Sequence, residues 1–207
     1  GEFEYRIAAK GSGQRQFTTP WYKFDISFYY RLPEVPKLPS PFTNDASMKK
    51  ARSAATRILD ESGVRQGYAL LLGGAGGRLA YELARQTNLQ VIVVEPDAAK
   101  ARKTRLALNA AGLYGVRACV HESDLADLPY GPYFANLVVS GSLLTDGQLP
   151  GESAAELMQV LRPAGGVAML GHCAGKLSAE DLRAWFERAG VACETRSADG
   201  EVWATVK

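Results

Sequence analysis

The chain has few cysteines and histidines and almost no net charge. Its 207 residues include 3 cysteines and 2 histidines, and 24 basic residues against 22 acidic ones give a formal net charge of +2. No C-x-x-C pair is present, so the pattern favours neither a disulfide framework nor a zinc site, and we predict no metal. Basic residues are not clustered among aromatic ones, so nothing in the sequence indicates nucleic-acid binding.

Long apolar runs are also lacking. None approaches the roughly 18 residues that a membrane-spanning helix needs, and the N-terminus has no charged-then-apolar signal pattern. The chain begins with Gly-Glu-Phe rather than with Met. We therefore expect no membrane association, and a cytoplasmic protein if the chain is complete. If it is instead a domain of a longer polypeptide, targeting signals and neighbouring domains lie outside it.

Glycine, in contrast, is concentrated in one segment between two apolar stretches. A predicted strand ends at Leu72, five small residues form a turn, and a helix begins near Gly77. Small residues allow the backbone to bend tightly and to approach a ligand, and a helix start offers unpaired N–H groups. Glu95 ends the next strand about 20 residues after the first glycine, where an acid can bind a ribose diol. The pattern predicts a site for an adenosine-containing cofactor.

Two cofactor classes share this arrangement. The nicotinamide fingerprint G-x-G-x-x-G/A, started at Gly74, puts Leu79 at its last position, and only a looser version ending at Ala80 fits. The turn started at Gly73, with Ala75 and Gly77, resembles the G-x-G-x-G turn of the class I S-adenosylmethionine-dependent methyltransferases, with alanine at the central glycine.

Later segments carry the same resemblance from about Asn44 to Val206. Residues 116–130 resemble the third strand and adenine-binding acidic loop of that family, 134–144 its fourth strand, and 161–170 its L-x-P-G-G turn. The resemblance implies S-adenosylmethionine as cofactor and methyl transfer to an unidentified acceptor, with a small molecule favoured. It implies these cofactor-binding residues: Gly73, Gly74, Ala75, Gly77, Glu95, Pro96, Asp124, Leu125 and Ser140.

Three departures from the family pattern carry information of their own. Leu71 stands where the family usually has an acid that helps to hold the methionine end of the cofactor, Ala75 replaces a glycine, and Asn136 replaces an aspartate. They predict a degenerate first motif with a weaker grip on the amino-acid half, while Glu95 and Asp124 hold ribose and adenine. A catalytically inactive binding or scaffold domain of a larger protein is therefore one alternative. An NAD(P)-dependent oxidoreductase is another.

The candidate catalytic residues are His172 and Ser140, which are predicted to follow the fifth and fourth strands. Either side chain would then lie along the edge of the sheet where ligands bind. His172, like His121 after the third strand, can act as a general base if the acceptor is a hydroxyl or an amine, and a loop residue without a role is the alternative. The stretch after Ser140 has no N-P-P-Y motif, which counts against methylation of nucleic-acid bases.

Alternating strand and helix patterns after residue 42 predict a Rossmann-like, open α/β sheet with helices on both faces. The resemblance implies seven mostly parallel strands in the order 3-2-1-4-5-7-6, with the last hairpin antiparallel. Residues 1–42 are predicted to be an aromatic β extension and a proline-rich linker, and residues 43–207 the methyltransferase-like domain. The predicted strands lie near 68–72, 91–95, 116–120, 137–140 and 167–170, and the predicted helices near 77–86, 97–111, 152–161 and 178–189.

Overall fold

The computed structural model describes residues 2–10, 16–25, 38–173, 177–198 and 200–207. It divides into two compact units, residues 1–33 and residues 34–207. The domain boundary near residue 42 stays a prediction. Phe42 itself packs against the core of the second unit, with its ring centroid 5.4 Å from that of Tyr81.

The first unit is made of antiparallel strand pairs. Strand β1 (Glu2–Tyr5) pairs with β4 (Tyr22–Asp25), and β2 (Ala8–Lys10) pairs with β3 (Gln16–Thr18). The segment between β2 and β3, residues 11–15, and residues 26–37 of the predicted extension and linker lie outside the described residues.

The second unit is built on a seven-stranded sheet with the predicted order. The strands run β7-β6-β5-β8-β9-β11-β10 across the sheet, and the first five of these positions are parallel to one another. β11 runs antiparallel to both β9 and β10. The strands are β5 (Gln66–Leu72), β6 (Asn88–Val94), β7 (Ala118–His121), β8 (Leu137–Ser140), β9 (Val167–Cys173), β10 (Glu194–Ala198) and β11 (Glu201–Val206).

Helices connect these strands, and capping residues determine where several of the helices begin and end. The Asp45 side chain accepts the Met48 N–H at the start of α1, and Gly63 ends that helix with φ +69°. Ser178 and Asp181 form a reciprocal capping box at the start of α6. The helices are α1 (Ala46–Ser62), α2 (Arg78–Gln86), α3 (Ala98–Ala110), α4 (Gly141–Asp146), α5 (Ala155–Val160) and α6 (Ala179–Glu187).

The two faces of the sheet carry separate apolar cores because side chains alternate along each strand. Ala69 and Leu71 point to the face covered by α1, α2 and α3, whereas Leu70 and Leu72 point to the face covered by α5 and α6. Trp185 and Phe186 of α6 are completely buried in the second core. No helix in the described ranges has the length and apolar content to cross a membrane.

Residues 122–136, between β7 and β8, contain no helix. Instead, a ladder of aromatic rings lies over this part of the second face. The ring centroids of Tyr130 and Phe134 are 5.2 Å apart, and those of Phe134 and Tyr68 are 4.7 Å apart. Side chains of a loop thus cover the sheet where a crossover helix is the usual solution.

Strand β9 extends further than the sequence pattern predicts. His172 pairs with Val202 and Cys173 with Glu201, so both residues belong to the strand instead of following it. The long partner strand β11 supplies the hydrogen bonds that prolong β9. The side chain of His172 lies outside the described part of the structure, and its catalytic role stays a prediction.

The second unit is expected to fold alone. A protein comprising residues 34–207 retains the complete sheet, both cores and Phe42, so its thermal unfolding should stay a single cooperative transition. Circular dichroism at two wavelengths, one reporting helix and one reporting aromatic packing, will check this. Two non-coincident transitions, or loss of the aromatic signal, would show that the first unit is needed for the core.

Candidate functional site

A cleft lies at the carboxyl ends of β5 and β6, beside α4. It has a volume of about 380 Å³, which is within the usual range for small-molecule sites. Six predicted cofactor-binding residues line it, namely Gly73, Gly74, Ala75, Glu95, Pro96 and Leu125. The other lining residues are Gly76, Arg78, Asp97, Lys100, Lys103, Ser142, Thr145, Asp146, Gln148 and Leu149.

The glycine turn adopts a backbone conformation that is unfavourable for residues with a side chain. Gly73, Gly76 and Gly77 have φ values of +81°, +68° and +86°, and Ala75 has φ +44°. Left-handed conformations of this kind favour glycine and cost an L-residue roughly 1–2 kcal/mol. The Gly77 N–H donates to the Gly74 carbonyl at 2.7 Å, which closes the turn immediately before α2.

The turn also packs closely against the segment that follows β8. A Cβ added to Gly73 would lie 2.7 Å from the Ser142 Cβ and 2.8 Å from its backbone nitrogen. A Cβ added to Gly141 would lie 2.4 Å from the Gly73 carbonyl oxygen. Both positions therefore require glycine, and their contact fixes the start of α4 against the turn.

Glu95 is the best-fixed polar side chain of the cleft. It is 5% exposed, its Oε2 accepts the Gly74 N–H at 2.7 Å, and its Oε1 accepts the Asp97 N–H at 3.2 Å. Each carboxylate oxygen can accept more than one hydrogen bond, so Glu95 can still accept hydroxyl donors. A ligand with two neighbouring hydroxyls fits this group.

The charges around the cleft are mixed. Among the described residues, three basic side chains (Arg78, Lys100, Lys103) and three acidic ones (Glu95, Asp97, Asp146) line it. The Arg78 guanidinium lies 3.5 Å from an Asp45 carboxylate oxygen and 5.5 Å from the Phe42 ring centroid. A balanced set of this kind suits a ligand with charges of both signs better than a polyanion.

Ser140 and Gly77 are predicted site residues that do not line the cleft. Ser140 is 3% exposed, and its hydroxyl accepts the Leu143 N–H at 3.1 Å as the N-cap of α4. The same hydroxyl donates to the Leu72 carbonyl at 3.3 Å. Gly77 faces the core, where an added Cβ would lie 3.6 Å from the Phe42 ring. The functional assignments of Ser140 and Gly77 stay predictions.

Asp124 also lies outside the cleft wall, although its neighbour Leu125 belongs to it. The Asp124 side chain is exposed, and its Oδ1 accepts the Ala126 N–H at 3.0 Å. This is the local turn bond that an aspartate commonly makes after a strand. Its contact with adenine stays a prediction.

The structure places two of the departures from the family pattern, Leu71 and Asn136, at opposite ends of the strands. Leu71 is completely buried in the core with Leu79, so no polar group replaces the missing acid on β5. Asn136 lies before β8, at the amino end of the strand, and its Oδ1 accepts the Tyr68 N–H at 3.1 Å. This position is far from the cleft, which corrects the expectation that Asn136 weakens the grip on the cofactor.

The sequence patterns missed one wall of the cleft. Ser142, Thr145 and Asp146 belong to α4, a six-residue helix that was not predicted, and Gln148 follows it. A signal was available, because Ser140 is a favoured N-cap residue and Gly147 ends the helix with φ +71°. The helix is too short for apolar periodicity to reveal it.

Burial raises the pKa of two groups near the sheet edge, the Tyr130 hydroxyl and the Cys119 thiol. The His121 Nδ1 lies 2.7 Å from the Tyr130 hydroxyl. The neighbouring Cys119 raises the pKa of the Tyr130 hydroxyl further. Neither group is therefore a resident anion that acts as a base or a nucleophile.

The sequence profile of a methyltransferase domain family matches residues 70–169. The matched stretch begins in β5, includes the glycine turn and Glu95, and ends in β9. A search of curated protein sequences found no significant match.

Solved structures with the same fold include several methyltransferases. A provisionally assigned S-adenosylmethionine-dependent methyltransferase from Methanococcus maripaludis superposes with a TM-score of 0.68 and 16% identity, over 78% of this chain and 87% of that one. A SAM-dependent methyltransferase from Aquifex aeolicus gives 0.65 and 15%, over 79% and 95%. The [4+2]-cyclase SpnF gives 0.58 and 16%, over 72% and 62%.

The strand order, the glycine turn and the matched domain define the class. Residues 70–169, just under half of the chain, match a methyltransferase domain family, and the sheet has the fold of the class I, Rossmann-like methyltransferases, whose cofactor is S-adenosylmethionine. The predicted fold and the predicted family are both confirmed.

The contact between Gly73 and α4 can be tested by comparing two glycines. Gly73→Ala adds a methyl group against Ser142, whereas Gly115→Ala at φ +77° adds one where no atom lies within 4 Å. Both variants carry the cost of the left-handed backbone, so overpacking should make Gly73→Ala less stable by a further ~1–3 kcal/mol. Urea unfolding will measure the difference. Equal losses would mean that the turn is not locked against α4.

Proposed function

We propose that the cleft binds S-adenosylmethionine, with its ribose diol on Glu95, and that the protein transfers the methyl group to a small-molecule acceptor. The observation that carries this proposal is the buried Glu95 carboxylate, which the Gly74 N–H holds at 2.7 Å beside the cleft. An acid at this position, following the second strand of the fold, suits a pair of ribose hydroxyls.

The remaining walls fit the same cofactor. Gly74 leaves the space beside Glu95 open, since a Cβ at that position would lie 3.1 Å from the Glu95 carboxylate. Pro96 and Leu125 give apolar surface near Glu95, which suits the faces of an adenine ring. Polar side chains of α4 line the opposite wall.

The protein acts in this reaction mainly by alignment. When bound, S-adenosylmethionine would supply an electrophilic methyl group on a sulfonium. The glycine turn and Glu95 would hold its ribose, and would therefore restrict where the methyl group lies. Fixing two reactants in line can contribute ~7–11 kcal/mol, so no covalent catalytic residue is required.

A small-molecule acceptor is supported by the size and charge of the cleft. Its volume of about 380 Å³ and its equal numbers of acidic and basic lining residues give no extended basic surface for a nucleic acid. Ser142 and Gln148 provide hydrogen-bonding groups in the wall formed by α4.

A second candidate function is that of a binding domain that no longer catalyses methyl transfer. The burial of Leu71 at the position of the usual acid favours it, because the amino-acid end of the cofactor has no partner on β5. The similar fold of SpnF, described as a [4+2]-cyclase, shows that one fold carries more than one activity.

Binding distinguishes these functions from the nicotinamide alternative. S-adenosylmethionine or S-adenosylhomocysteine at 100 times its dissociation constant should stabilise the protein by about 2.7 kcal/mol, whereas NADPH and NADH should leave the melting temperature unchanged. Thermal unfolding with each ligand in parallel is the measurement. Stabilisation by NADPH alone would overturn the proposal.

The role of Glu95 is tested by Glu95→Gln. The amide keeps the size of the side chain but removes the charge that strengthens bonds to the ribose hydroxyls. We expect affinity for S-adenosylhomocysteine to fall at least tenfold by calorimetry, since hydrogen bonds to charged groups are worth roughly 1.5–3 kcal/mol. The control is Asp127→Asn, an exposed carboxylate outside the cleft wall. Unchanged affinity in a folded Glu95→Gln protein would remove Glu95 from the site.

A further inference from the structure

We propose that a small cavity beside the cleft is a carboxylate-binding subsite, formed by Lys50 of α1 and Arg78 of α2. Two sources share this chemistry: the amino-acid end of S-adenosylmethionine, and an acceptor that is itself a carboxylic acid. The choice between these ligands rests on the proposed function, whereas the subsite is defined by the charges and contacts of the cavity.

The cavity adjoins the cleft at the glycine turn. It has a volume of about 180 Å³, and its walls come from α1, the start of α2 and α4. It shares Ala75, Arg78 and Thr145 with the cleft, whereas Glu95 lines the cleft alone. A ligand bound to Glu95 through its ribose can therefore extend across Ala75 into this cavity.

The charged side chains that line the cavity are of one sign. Among the described residues they are Lys50 and Arg78, and no described acid lines it. The larger cleft differs, because its acidic and basic lining residues are equal in number. Two cations in a confined space repel an ammonium group and attract an anion.

A contact with α4 holds the Lys50 ammonium at the cavity. Its Nζ donates to the carbonyl of Leu144, which also lines the cavity. This hydrogen bond uses one of the three donors of an ammonium group. The carbonyl carries no formal charge, so the positive charge of Lys50 is not neutralised by this contact.

The Arg78 guanidinium lies between the cavity and the turn. Its Nη2 is 3.5 Å from an Asp45 carboxylate oxygen, and a Cβ added to Gly76 would lie 3.2 Å from its Nη1. Its buried Nε has no hydrogen-bond partner among the described residues. A guanidinium has five N–H donors, so the pair with Asp45 leaves donors for a second anion.

The net charge of these groups favours a carboxylate over a phosphate. Lys50 and Arg78 are both positive, and Asp45, which pairs with Arg78, is negative. One positive charge is left, which a carboxylate matches. A phosphate group carries nearly two negative charges at neutral pH and would leave part of its charge unpaired in a confined site.

The subsite is tested first without any cofactor. Acetate and its neutral counterpart acetamide are titrated into the full chain, Lys50→Gln, Lys50→Arg and the control Lys49→Gln, and the backbone amide signals of Ala75 and Thr145 are followed by NMR. Lys49 precedes Lys50 in α1, is exposed and does not line the cavity. We expect saturable shifts with acetate only, at least tenfold weaker binding in Lys50→Gln, and affinity kept in Lys50→Arg and in the control.

The source of the carboxylate is tested with S-adenosylhomocysteine and its decarboxylated analogue. If the cofactor supplies the carboxylate, Lys50→Gln weakens S-adenosylhomocysteine at least tenfold in calorimetry and leaves the analogue within twofold. If the acceptor supplies it, both ligands keep their affinity, and acetate still binds the complex with S-adenosylhomocysteine.

The two proposals fail on different results. Equal responses to acetate and acetamide, or equal acetate binding by the full chain and Lys50→Gln, would overturn the subsite whatever the adenosyl ligands do. If neither adenosyl ligand binds the unaltered protein, the proposed function fails, and the acetate titration still decides whether the subsite exists.

Discussion

The hydrogen bond from the Gly74 N–H to the Glu95 carboxylate joins the two strands on which the site depends. It connects the turn after β5 to the end of β6, and it is buried, so water does not compete for it. The bond sets the distance between the glycine backbone and Glu95, the acid that we propose receives the ribose. A second bond, from the Gly73 N–H to the Val94 carbonyl at 2.8 Å, joins the same two segments, and together the two bonds fix the turn relative to the acid.

The strand order of the sheet makes this arrangement possible. Successive strands are added on one side of β5 as far as β7, and the chain then returns to add β8 on the other side of β5. Connections leave these neighbouring strands toward opposite faces, and a crevice at such a point is the usual ligand site of open α/β sheets. In this chain Gly73 lines the crevice and packs closely against Gly141 at the start of α4.

Much of this was predictable from the sequence, and for physical reasons. Apolar strands that alternate with amphipathic helices specify the sheet, and Asp45, Gly63 and Ser178 mark helix ends because each satisfies orphan backbone groups. The glycine turn was identified because its backbone conformation requires small residues, and Glu95 because it ends the next predicted strand at the expected spacing.

What could not be predicted depends on three-dimensional contact. Six residues of α4 are too few to show periodicity, and an acid on such a helix looks like any surface charge until the turn is seen to lie against it. Asn136 resembled a family position in the alignment of motifs, yet its amide holds the Tyr68 N–H at the other end of the strands. Strand β9 was underestimated because its length is set by its partner β11.

Ala75 has a consequence for the energetics of binding. A methyl group in a left-handed backbone lowers the stability of the folded chain, but it also leaves the residue fewer alternative conformations than glycine has. A turn with fewer conformations loses less entropy when a ligand orders it. Alanine at this position therefore restricts the conformations of the turn at a small cost in folding stability.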